Sequence, residues 1–448
     1  MIVPPPPYMR RARRHLSIDA LLNLLRDGFR DIPEHRNPNL TIPLADALMS
    51  AFAMFALKDP SLLAFQGHRN DENLKGLYGI GTIPSDTQMR EILDPVDPEE
   101  LRPLFGDVFH ELQRGKVLKS FVYHEGCYLL SLDGTGYFSS QKIHCPSSLD
   151  KVNKQTGQIT YQHQMLGAAI VHPDHKEVIP LPPEPIQKQD GSNKNDCERN
   201  ASKRLLRKIR REHPRLKLIV IEDGLASNGP HIRELMKQNM HFILGAKPGD
   251  HPYLFDRVIQ AHDQDRATVF SWKDKDVTCE IAFVKGVPLN EENQDLLVNF
   301  LQYSEYDPDG HRRKYFTWVT DLKITRGNAR HLVRAGRARW KIENETYNTL
   351  KNQGYHFEHN FGHGEQNLSV VFAMLMMLAF LVDQVQQLCC PLFRAVWEKL
   401  GSKRMLWDNL RSHFRHFTFD SMQDLYRAIL SDRAKNVPVP GFLGFDTS

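Results

Sequence analysis

"LKLIVIEDGLASNGP", residues 216–230, is an apolar run interrupted by one lysine and stopped by two acids and a glycine. Runs of this kind are strands buried on both faces, as in parallel sheets covered by helices, and the stretch therefore predicts an α/β fold. The strand ends at Asp223. Strand ends of such sheets open into the crevice where ligands and reacting groups gather.

The pattern extends in both directions. Upstream, "GCYLLSLDGTGYFSS" (126–140) reads as a short apolar strand ending at Asp133 in a glycine turn. "TYQHQMLGAAIVHP" and "EVIPLPPEPI" add two more strands, and a basic helix spans about Asp196 to Glu212. Downstream, a helix around "HIRELMKQN" leads to the strand "HFILGAK". The predicted order is three strands, helix, strand, helix, strand. From about Gly249 to Leu322 the rhythm breaks, and "TVFSW", "VTCEIAFVK", "LLVNFLQYS" and "YFTWVTDL" read as the strands of a β-rich insertion.

The ends of the chain are helical. "SIDALLNLLRDGF" opens on a capping Ser17, and "LADALMSAFAMFAL" is apolar nearly all round and should be buried. This divides the chain into an N-terminal helical domain suited to DNA binding (1–120), a first core segment (121–248), the insertion (249–324), a second core segment (325–390) and a helical tail (391–448). The run "LSVVFAMLMMLAFLV" (368–382) is shorter than the ~20 residues a membrane span needs and continues directly into "DQVQQ", so it reads as a buried core helix. The basic N-terminus lacks the apolar segment of a signal peptide.

With 41% hydrophobic and 25% charged residues, the 448-residue chain has the make-up of a soluble globular protein of several structural units. Its net charge of +4 is mild, but basic residues cluster in "RRARRH", "KRLLRKIRREHPRLK", "HRRK" and "ITRGNARHLVRAGRARWK". Such stripes fit a nucleic-acid partner. The six cysteines show neither metal pairs nor a disulfide framework, which fits a reducing, cytoplasmic setting. His144 and Cys145 adjoin without a second ligand pair at zinc spacing.

A later helix carries the third acid. In "RWKIENETYNTLK" (339–351), a turn of ~100° per residue sets Trp340, Glu343, Tyr347, Leu350 and Lys351 on one side, with Arg339 at its edge and Glu345 opposite. A carboxylate among Trp340 and Tyr347 needs a positive partner, since an unpaired buried charge is costly. Hard divalent cations choose carboxylate oxygens. Asp133, Asp223 and Glu343 together could hold two such ions ~3.5–4 Å apart, one activating a water or hydroxyl and the other stabilising the leaving oxygen of a phosphodiester.

"SLDGTGYFSS", "IVIEDGLASNG", "WVTDL" and "RWKIENETYNTLK" resemble the core of bacterial insertion-sequence transposases of the DDE type, from about Tyr128 to Phe380. The resemblance implies a ribonuclease-H-like mixed sheet with flanking helices, interrupted by a β-rich insertion. It implies Asp133, Asp223 and Glu343 as the catalytic, metal-binding triad, with two Mg²⁺ replaceable by Mn²⁺. The expected partners are double-stranded DNA, as terminal inverted repeats and target, and a second copy of the chain; no membrane is involved. The setting is the bacterial cytoplasm, at the nucleoid. Relatives often carry Tyr-x2-Arg-x3-Glu-x6-Lys around the glutamate. Arg339 and Glu343 match it, whereas Gly336 stands in the tyrosine position and Lys351 falls one residue past the lysine position. Arg339, Lys351, Lys203 and Arg207 are the expected DNA contacts. Trp272 or Trp318 would stack an unpaired base, with core packing the competing role for both. His231, His356, His359 and His363 read as loop packing. Two other readings share the fold: a ribonuclease-H-like nuclease without strand transfer, and a DNA-binding regulator that has lost catalysis.

Overall fold

The computed structural model describes residues 14–37, 40–188 and 196–431. The prolines at 4–7, most of "RRARRH" and the tail "NVPVPGFLGF" lie outside them. The chain forms two compact units, one of Lys116–Thr349 and one of the described residues of Met1–Gly115 and Leu350–Ser448.

The second of these is helical. Its N-terminal part holds α1 (Ile18–Asp31), α2 (Leu44–Leu57), α3 (Leu62–Gln66), α4 (Glu72–Gly76), α5 (Asp86–Leu93) and α6 (Arg102–Arg114). Ser17 caps α1 by accepting the Ala20 amide, and α1 buries Leu21, Leu22, Leu25 and Phe29 at helical spacing. α2 is buried nearly all round, as its composition requires.

The other unit is built on a mixed sheet. In chain order it has β1 (Val122–His124), β2 (Cys127–Ser140), β3 (Leu149–Val152), β4 (Ile159–Val171), β5 (Ile179–Ile186), α7 (Glu198–Glu212), β6 (Leu218–Glu222), α8 (Gly229–Lys237) and β7 (His241–Gly245). β2, β4 and β5 form an antiparallel meander. β6 runs parallel to β2, and β7 parallel to β6. The order β5-β4-β2-β6-β7 is that of the ribonuclease-H-like core that the resemblance implies. All five β6 residues are buried, the reason for the unbroken apolar run at its origin.

The insertion follows as α9 (Pro252–Asp263), β8 (Thr268–Asp274), β9 (Val277–Asn290), β10 (Asn293–Tyr306) and β11 (Arg312–Thr320). Its opening helix, which buries Leu254 and Ala261, is not among the strands expected there. β11 pairs antiparallel with β7, so the insertion extends the core sheet in the order β7-β11-β10-β9-β8.

α10 (Ala329–Arg337) then leads through a break into a π-helical segment, Ile342–Tyr347, and α11 (Asn348–Asn352). The single regular helix expected from 339 to 351 is therefore replaced by two different windings. α12 (Leu368–Cys389), α13 (Pro391–Leu400), α14 (Lys403–His416) and α15 (Met422–Leu430) complete the helical unit. α12 is 22 residues long, more than the sequence reading gave it, and long and apolar enough to cross a membrane. It is nonetheless buried along its length in the protein, and Asp383 within it pairs with the buried Lys58 ammonium at 2.5 Å.

Candidate active site

The sheet register sets the first two acids side by side. Ser131 on β2 is level with Ile221 on β6, and two residues further along each chain stand Asp133 and Asp223, which line one crevice. Asp133 does not end its strand, contrary to the reading of Gly134 as a turn. β2 continues to Ser140, and Asp133 pairs with Gly167 of β4. Asp223 does follow the end of β6, where its carboxylate accepts the Leu225 amide at 3.0 Å and caps a short 3₁₀ turn.

Glu343 arrives on the π-helical segment. Windings with i→i+5 bonds are rare and concentrate at functional sites. Two contacts fasten the segment to the sheet: the Ser131 hydroxyl donates to the Arg339 carbonyl at 2.9 Å, and the Tyr347 hydroxyl donates to the Asp133 carbonyl at 2.6 Å. The altered winding also overturns the apolar-face reading. Trp340 is 44% exposed, Glu343 is exposed, and Glu345 is only half-buried. Glu343 instead acts electrostatically on Asp133. Burial comes first in pushing the Asp133 carboxyl up to about 6; Arg339 opposes, and Glu343, Glu198 and Asp223 reinforce it. The Arg339 guanidinium lies 3.4 Å from the Asp133 carboxylate.

Asp133 and Asp223 line a crevice of about 550 Å³ together with residues that sequence reasoning passed over. Glu198 opens α7 and reaches it. Glu222 pairs with buried His231 at 2.6 Å; burial resists the imidazolium, but Glu222 prevails and raises it above the ordinary range. Glu222 was visible beside Asp223 in "IED", whereas Glu198 has no local signal because only the chain path brings α7 to β2. On its other side Asp223 borders a second cleft of about 360 Å³, lined by Lys247, Phe316, Trp318, Arg337 and Trp340.

The remaining expected contacts are dispersed. On α7, Lys203 lies close enough to oppose the charge of His231, and Arg207 is forked onto Glu234 at 2.7 and 2.8 Å. Trp272 is on β8 at the sheet edge, with the Arg330 guanidinium stacked 3.7 Å from its ring. Trp318 is buried, and a Cβ on Gly336 would stand 2.6 Å from its indole. The tyrosine of the related motif has no room there. Lys351 belongs to the helical unit and pairs with Glu358 at 2.9 Å.

A family model described as "Transposase DDE domain" matches residues 140–381, over half of the chain, beginning just beyond Asp133 and including Asp223 and Glu343. No curated protein matches the sequence. Among solved structures, a piggyBac transposase synaptic complex with hairpin DNA is similar at 13% identity, covering 97% of this chain and 86% of that one with a TM-score of 0.39.

Proposed function

We propose, on the premise that this chain belongs to the transposases with a DDE domain, that Asp133, Asp223 and Glu343 are its catalytic triad. The protein is a DNA transposase, and its family works with divalent metal ions. The observation that supports the assignment is that Asp133 and Asp223, each two residues beyond the paired Ser131 and Ile221, line one crevice, with Glu343 close enough to act on the Asp133 charge.

The residues fit a hard cation. Their donors are all oxygen, and Glu343 and Asp223 raise the proton affinity of Asp133, a crowding that positive charge relieves. Asp133, Asp223 and Glu343 would hold two Mg²⁺, with Mn²⁺ able to substitute. Bound there, the ions would supply Lewis-acid activation of the attacking oxygen and stabilisation of the leaving one. Arg339 holds a phosphate near the cut, as its place beside Asp133 allows. The second cleft takes the adjoining strand: Lys247 and Arg337 meet phosphates, and exposed Phe316 and Trp340 stack bases. Lys203, Arg207 and Lys351 are further backbone contacts and Trp272 a further stacking residue.

The substrate is the pair of ends of the protein's own mobile element. Strands are hydrolysed at each end, and the freed 3′ hydroxyls are joined to target DNA. Two ends call for two active sites, hence at least a dimer. Purified protein incubated with end-containing DNA and Mg²⁺ or Mn²⁺ should cut at the element boundary and join the ends to a target plasmid. Intact DNA binding with no cleavage in either metal would refute this reading.

A further inference from the structure

We propose that Glu198, supported by Ser202, is a fourth oxygen ligand for divalent cation in the crevice. The proposal rests on the triad reading and adds a residue to it.

Glu198 and Ser202 stand four residues apart on α7, which puts them on one face of the helix, and both line the crevice with Asp133 and Asp223. The approach of Glu198 to the triad is built into β2. A Cβ on Gly134 would lie 2.1 Å from the Glu198 Oε1, so only a glycine after Asp133 lets this carboxylate come against the strand. Glu198 is close enough to raise the proton affinity of Asp133. Three cations of its own helix are paired elsewhere, Arg204 on Glu184 and Asp196, Arg207 on Glu234 and Lys208 on Glu184, while Arg199 lines the crevice beside Glu198. Among the described residues, Glu198 has no ion pair.

Ser202 supplies a second, independent observation. It is 5% exposed, and among the described residues its hydroxyl has no hydrogen-bond partner. A serine inside a helix ordinarily bonds back to the carbonyl four residues earlier. This one does not, which leaves a buried donor and acceptor in a crevice that also holds the carboxylates of Asp133, Glu198, Glu222 and Asp223. Such a group is satisfied by the Glu198 carboxylate once a cation draws it in, or by a cation-bound water. Glu198 could alternatively serve only as an acid in the first turn of α7, where it favours the helix dipole. That role would affect folding and leave cation affinity alone.

Mn²⁺ binding to the full-length protein without DNA separates these roles. Calorimetric titration should show Glu198→Gln weakening Mn²⁺ binding about tenfold or more, as loss of a metal-site partner does, with far-UV circular dichroism and metal-free Tm unchanged. Ser202→Ala should weaken it less. Glu198→Asp keeps the charge at the helix start and withdraws the carboxylate by one methylene; it should also bind more weakly, and it guards against a folding defect in the glutamine variant. Wild-type affinity in both Glu198 variants, alongside lost binding in Asp223→Asn, would overturn the role of Glu198 and leave the triad standing. Wild-type protein that fails to bind Mn²⁺ would overturn both.

Discussion

The Tyr347 hydroxyl donates to the Asp133 carbonyl at 2.6 Å and accepts the Gly167 amide at 3.1 Å, so one side chain joins β2, β4 and the segment that carries Glu343. Gly167 is required for this: a Cβ there would stand 2.3 Å from the hydroxyl. Tyr347 thereby ties the winding that carries Glu343 to the strand that carries Asp133.

Tyr347→Phe should accordingly uncouple stability and geometry together. It strands a buried amide and a carbonyl, a loss of ~1–3 kcal/mol readable in urea unfolding, and cleavage should fall while DNA binding persists. A variant with wild-type stability and wild-type cleavage would dispose of the tether.

The acids themselves separate by position. Asp133→Ala, Asp223→Ala and Glu343→Gln should each abolish strand cleavage and retain the fold, because each lessens repulsion in a crowded acidic cluster. Glu345→Gln should alter stability by no more than ~0.5 kcal/mol and stay active. An active Glu343→Gln beside an inactive Glu345→Gln would reassign the third acid.

Arg207 also has a structural duty that acid unfolding can read. Chiefly through its hydrogen bonds from Arg207, the Glu234 carboxyl is held at about 2, below its ordinary 4.5. A depressed carboxyl stabilises the fold above its unfolded value and loses that contribution as pH falls. The loss here runs from about 4.5 towards 2. Arg207→Gln should lower stability at neutral pH and flatten this part of the pH profile. An unchanged profile between wild type and variant would show that the pair contributes nothing.

Gly336 should resist substitution although the related motif carries a larger residue there. Gly336→Ala forces a methyl against the Trp318 indole, an overpacking cost of ~1–3 kcal/mol that thermal unfolding would register. Trp318→Leu in the same background should recover part of it. If Gly336→Ala melts with the wild type, the close approach is not a constraint.

Much of the architecture was legible because burial leaves a periodic trace. The run at 218–222 is apolar throughout because both faces of β6 are covered, and Asp223 was recognisable as the residue where that burial stops. The alternation in β9 to β11 likewise marked the insertion as strands. Local pattern failed where local and long-range demands diverge. Gly134 resembled a turn, yet it sits inside a strand because β4 pairs alongside and Glu198 needs the space its missing Cβ leaves. A wheel of regular pitch misjudged the surroundings of Glu343, because the chain winds there as a π-helix fastened by Ser131 and Tyr347. Sequence by itself thus determined the alternation of strands and helices from β4 to β7 and the end of β6 at Asp223, since both follow from hydrophobic spacing along the chain. Only the tertiary structure decided that Asp133 shares a crevice with Asp223, that α7 brings Glu198 beside them, and that the two helical ends of the chain close into one unit. Those are contacts between residues tens to hundreds of positions apart, made by register and packing that no local spacing encodes.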